Sequence, residues 1–153
     1  MLQLKEKPLE DNTMSKIADI FKSYLEQKDV NYSYFQPEED RKEAIRVGFS
    51  GKNANDIRVL FIFDDNGTSV NVKSFEIAKS SSDKLMDIYV LLNELNYEYR
   101  WVKFYVDSDN EVTVSGDAIT DEANAGEELF EILVRYIQII DEVYPRIMKV
   151  IWA

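Results

Sequence analysis

The apolar positions of this chain switch between two periods, and the switches mark its elements. The longest apolar stretch lies near the end. From Leu129 to Ile140 nine of twelve residues are apolar, and the polar Glu131, Arg135 and Gln138 follow at spacings of four and three. That spacing draws one thin polar line down a helix, extended by Glu128 upstream and Lys149 downstream. Many of these residues are β-branched, but strands seldom run so long and alternation is absent. A helix apolar round most of its circumference has to be covered on several sides. The span Gly126 to Trp152 is therefore expected to be the central packing element, with Leu133, Ile137 and Ile140 inaccessible. Pro145 is expected to kink or restart it, because proline lacks an N–H and clashes with the preceding turn.

Earlier in the chain, Met14, Ile17, Ile20, Phe21, Tyr24 and Leu25 form one stripe, predicting a helix over Thr13 to Lys28 capped by Thr13 or Ser15. Met1 to Asn12 shows no sustained period and reads as a flexible tail, leaving 13–153 as one domain. Val30 to Phe35 reads as a short strand or an extended connection. Ile45, Val47 and Phe49 alternate with Arg46, Gly48 and Ser50, a half-buried strand. Arg58 to Phe63 is nearly all apolar and predicts a central strand covered on both faces. Asp64-Asp65-Asn66-Gly67 signals a hairpin, and Asn66-Gly67 fits a type I′ turn. That turn sets Phe63 opposite Val70 and Phe61 opposite Val72, and the next strand runs from Thr68 to Ile77. A second helix opens at Ser81 or Ser82, buries Leu85, Ile88, Tyr89, Leu92 and Leu95, and ends near Asn96. Tyr99 to Val106 and Val112 to Ala118 form a last hairpin, with Val106 facing Val112 and Phe104 facing Val114. The predicted fold is α+β: a mostly antiparallel five-stranded sheet packed with three helices, in the order α-β-β-β-α-β-β-α.

Element order and the ending Asp141-Glu142-Val143-Tyr144-Pro145-Arg146-Ile147-Met148 resemble the YbjN family of bacterial sensory-transduction regulators. The resemblance covers Ser15 to Ala153. It implies a fold similar to the type III secretion chaperones, which are small, acidic, cytoplasmic, usually homodimeric, and bind extended client segments. It carries over no catalytic residue, because the family has no established reaction.

Composition narrows the chemistry. The 153 residues suit one domain with a real core. There is no cysteine and no histidine. The usual zinc sites and all histidine-based acid–base and nucleophilic mechanisms are thereby excluded. Lysine and arginine number 18 against 29 aspartates and glutamates, a net charge of −11. Such a charge repels nucleic acid and anionic membranes. No apolar run reaches membrane-spanning length, and the charged start lacks a secretory h-region, so a cytoplasmic protein is expected.

Asp107, Asp109 and Glu111 have the alternating oxygens of a calcium loop. Val112 and Ala118 then stand where glycine and glutamate belong, so an acidic hairpin tip is the better reading. Between Lys103 and Arg135 lie nine acids and no basic residue. Two readings stand for this run: a docking face for a basic segment, or a solvated surface. With 5 glycines and no phosphate loop, no cofactor is indicated. In the predicted fourth strand Tyr99, Trp101, Lys103 and Tyr105 share one side, the side that Leu60 and Ile62 also face. That patch is covered by the last helix or used for a partner or a second copy. The expected function is a non-catalytic protein-binding regulator or chaperone-like module, with a protein partner and a homodimer. The alternative is a small carboxylate-based or divalent-metal-dependent enzyme.

Overall fold

Alternation of buried and exposed positions along the strands determines the architecture. In the computed structural model, which describes residues 14–153, six strands form one antiparallel sheet. They are β1 (Ser33–Phe35), β2 (Ala44–Phe49), β3 (Ile57–Phe63), β4 (Ser69–Lys79), β5 (Lys103–Val106) and β6 (Glu111–Ile119), in the spatial order β1-β2-β3-β4-β6-β5. The helices are α1 (Lys16–Gln27), α2 (Leu85–Glu98) and α3 (Ala125–Ile151). The sheet has six strands rather than the five expected. The extra one is β1, whose three residues pair with Ala44 to Arg46 but are too few to show a period. The tail Met1 to Asn12 and the candidate cap Thr13 fall outside the described residues.

The helices share one face of the sheet. Ile45 and Val47 of β2, and Val59, Phe61 and Phe63 of β3, are buried there, while Arg46, Arg58, Leu60 and Ile62 point the other way. So β3 is interior to the sheet but, among the described residues, covered on one face only, contrary to its apolar run. From α1, Ile17, Phe21 and Leu25 enter the core, and Phe21 meets Phe61 at 4.5 Å between ring centroids. Ser15 caps α1, its hydroxyl accepting from the Ala18 N–H at 3.3 Å. The buried Glu43 carboxylate accepts from the Ser15 N–H (2.9 Å) and the Tyr34 hydroxyl (2.5 Å), tying the start of α1 to β1 and β2.

Both long hairpins have the expected register: Phe63 pairs with Val70, Phe61 with Val72, Phe104 with Val114 and Val106 with Val112. The first turn is not type I′. Gly67 has φ +75° and Asn66 does not join it in the left-handed region. Instead the Asn66 carboxamide oxygen accepts from Thr68 and Ser69, both at 3.0 Å. Farther along, β4 carries a bulge between Ser74 and Ala78, with Glu76 at φ 55°.

Helix α2 follows a 3-10 turn (Ser82–Lys84) without a serine side-chain cap. It passes Asn96 and ends at Glu98. The Asn96 side chain reaches across to β5 instead of ending the helix. Its amide donates to the Phe104 carbonyl (3.1 Å) and accepts from the Phe104 N–H (2.7 Å). These bonds close part of the open edge of β5. On α2 the buried residues are Ile88, Leu91, Leu92 and Leu95, whereas Tyr89 faces outward.

Helix α3 runs unbroken through Pro145. Its core stripe is Leu129, Leu133, Tyr136, Ile140, Val143 and Ile147, while Ile137 is only half-buried. Burial pushes the Tyr136 phenol well above its ordinary pKa, with Asp117 adding to the shift. Pro145 leaves the Asp141 carbonyl without its helical donor. The Asn53 side chain supplies one at 3.1 Å. The Asp141 carboxylate in turn accepts from the N–H groups of Lys52, Asn53 and Ala54 at 3.1, 2.8 and 2.9 Å. A Cβ at Gly51 would stand 2.2 Å from Asp141 Oδ1, so only glycine allows this approach. No helix among the described residues is long and apolar enough to cross a membrane.

Leu133 is 2 % exposed, so Leu133→Ala is expected to cost about 2–5 kcal/mol in chemical denaturation. A loss below about 0.5 kcal/mol contradicts its place in the core. The backbone bonds from Ala54 and Asn53 hold the Asp141 carboxyl below its ordinary pKa. Its contribution is therefore present above the unfolded value, about 3.9, and fades as pH falls through the lower folded value. Asp141→Asn should melt below wild type at neutral pH, with the gap closing toward acid. A gap that stays constant with pH contradicts this.

Candidate protein-binding surface

Among the described residues, the sheet face away from the helices is open. Its floor is apolar where β1, β2, β3 and β4 meet: Phe35, Ala44, Leu60, Ile62 and Phe75 line a groove of about 490 Å³. Cations rim it. Arg41 and Arg46 lie over the Phe35 ring at 5.5 and 5.2 Å. Arg41 pairs with Glu38, Arg58 with Asp56 and Lys42 with Asp64, at 3.0, 2.8 and 2.7 Å. The Lys42 and Ser69 bonds hold the Asp64 carboxyl below its usual range. Asp40 and Glu76 also line the groove.

Leu60, Ile62 and Tyr105 face this open side. Leu60 and Ile62 form the groove floor, and Tyr105, on the edge strand β5, pairs with Thr113. Tyr99 and Trp101 do not join them, because the strand begins only at Lys103. Tyr99 is the C-terminal cap residue of α2, and Trp101 has φ 76°, a left-handed backbone that breaks the expected alternation. The Trp101 ring instead packs against the Arg100 and Arg135 guanidiniums, at 4.9 and 5.0 Å from its centroid, the latter on α3. Burial, then Glu142, pushes the Tyr99 phenol up. These two residues border a separate hollow of about 300 Å³ with Gln138 and Ile139.

The acidic run from Asp107 to Glu131 does not make one face. Asp107 and Asp109 sit at one end of β6, while Asp121 to Glu131 begin beyond the other. The nine residues of β6 separate them by about 27 Å. At the first end the Asp107 carboxylate serves the turn, accepting from Asp109 and Glu111 N–H groups at 2.9 and 3.0 Å.

A second surface escaped the reading of the sequence. Met86, Tyr89, Val90 and Tyr97 on the outer side of α2 are 71, 48, 58 and 93 % exposed. The available signal was a helix apolar on two sides, of which only one can face the sheet. Lys103 shares its strand side with Tyr105 by alternation, but Arg46 and Lys73 carried no such signal, because only the sheet register brings them into line with it.

The family model for YbjN, described as "Putative bacterial sensory transduction regulator", matches residues 18–148. No curated protein matches the chain. Among solved structures, the chain is similar to E. coli YbjN, described as a "putative transcription regulator" (14 % identity, TM-score 0.54, 84 % of this chain and 91 % of that one). It is also similar to a chain of the heterodimeric ExoU-SpcU complex from the type III secretion system of Pseudomonas aeruginosa (12 % identity, TM-score 0.50, 84 % and 95 %). At such identities the structural likeness establishes the fold, which is of the type III secretion chaperone kind. The family model itself spans residues 18–148 of 153, and on that match the chain belongs to the YbjN family.

Proposed function

We propose that the protein is a non-catalytic, cytoplasmic regulator or chaperone-like module that receives a protein partner on the open face of its sheet. The observation that carries this reading is the one-sided packing. Three helices cover one face, and the other keeps an apolar groove of about 490 Å³ with charged walls. An apolar floor with a polar rim is the anatomy of a protein-binding patch. The description of the family as a regulator, and a fold neighbour that is one chain of a two-protein complex, support it. Leu60 and Ile62 are the contact residues of the groove and Tyr105 its extension toward β5. Tyr99 and Trp101 form a separate aromatic contact beside α3. The exposed apolar stripe of α2 is the surface through which two copies pair, since a stripe of this kind is normally covered.

A photo-crosslinking residue in place of Ile62 should capture a protein partner in cells, while one in place of Glu131, on the helix side, should not. Equal capture at both positions, or none at Ile62, contradicts the open-face reading. For the dimer, sedimentation at micromolar concentration should give twice the chain mass for wild type and a monomer for Val90→Glu. A monomeric wild type removes the dimer and leaves the partner surface untouched.

A further inference from the structure

One register row crosses the whole sheet. Arg46 pairs with Leu60, Leu60 with Lys73, Lys73 with Ser115, and Ser115 with Lys103. Directly paired residues point to the same side, so Arg46, Lys73 and Lys103 stand in line on the open face. Each is held over an aromatic ring: Arg46 over Phe35 at 5.2 Å, Lys73 over Phe75 at 5.6 Å and Lys103 over Tyr105 at 5.9 Å. Among the described residues none of the three has a carboxylate within ion-pair distance. The neighbouring groove cations Arg41, Lys42 and Arg58 all do. Among the described residues these three cations, free of ion pairs, stand in one line on one face of a chain whose net charge is −11.

We propose that this row binds an extended acidic segment of the protein partner, laid across the strands with a carboxylate at every third residue. The proposal rests on the open-face reading above and names the partner chemistry for it. Neighbouring strands lie about 4.8 Å apart, so cations on every second strand stand about 10 Å apart. A polyproline-type segment presents every third residue on one side, about 9 Å apart, which matches the row. The rings beneath the cations, with Leu60 between them, take the apolar residues of the segment. Asp117, in the next row, is bonded to Asn71 at 2.9 Å, and with Glu76 it borders the row without neutralising it. A second copy laid face to face would set cation against cation.

The test is fluorescence anisotropy of the full chain with a labelled peptide of Glu-Leu-Pro repeated three times. Gln-Leu-Pro and Lys-Leu-Pro repeats serve as controls. The acidic peptide should bind about tenfold more tightly than the neutral one, reflecting three charge pairs, and should weaken with salt. Lys73→Gln and Arg46→Gln should each weaken it about threefold with melting unchanged, whereas Lys16→Gln should not. Equal binding of acidic and neutral peptides, abolished by Leu60→Arg, overturns acid selection but leaves the open-face reading standing. No binding of any peptide also overturns it, and the open-face reading falls too if crosslinking from Ile62 is silent. Binding of a thymidine oligonucleotide that Lys73→Gln removes assigns the row to phosphates and overturns the proposal. So does a dimer that Leu60→Arg dissolves.

Discussion

Everything in this molecule depends on apolar burial between α3 and one face of the sheet. Leu129, Leu133, Tyr136, Ile140, Val143 and Ile147 make a single stripe, and α1 and α2 pack beside it on the same side. Burying one such side chain contributes about 1.5–3 kcal/mol, so this layer outweighs any surface ion pair in the structure. The consequence is geometric. With all the described helices on one side, the outward residues of β2, β3 and β4 have no helix among the described residues to pack on. Leu60, Ile62 and Phe75 remain half-buried or exposed because the layer they would need is absent among the described residues.

Proline in the middle of the longest helix serves this layer. Its missing N–H releases the Asp141 carbonyl, and Asn53 from the β2–β3 turn takes the vacancy. The same aspartate gathers three N–H groups of that turn in its carboxylate. One residue of α3 thus fixes the end of the β2–β3 hairpin, and with it the position of the strands that carry the groove floor. The link from helix defect to sheet position to binding surface is continuous.

Much of the fold was legible because it depends on short-range pattern. The stripe of α1, the alternation of β2 and the cross-strand pairs of both long hairpins follow from periods of 3.6 and 2. What was not legible depends on long-range placement. β1 has three residues and shows no period. The apolar run of β3 suggested cover on both faces, but Leu60 and Ile62 are apolar because they floor a groove. Trp101 left the expected strand because its backbone is left-handed, a property no alternation predicts. The row of Arg46, Lys73 and Lys103 exists only because β6 inserts between β4 and β5. Of the candidate site, Leu60, Ile62, Lys103 and Tyr105 could be grouped from period-2 reasoning, and Arg46 and Lys73 could not.

The central claim is that the sheet is covered on one face and open on the other. Hydroxyl-radical footprinting of the free protein tests it within a single strand. The account predicts oxidation at Leu60 and Ile62, and at Phe75 on β4, with Val59 and Phe61 protected between them. Uniform protection across residues 59 to 62 would show a second layer over the groove and contradict the account.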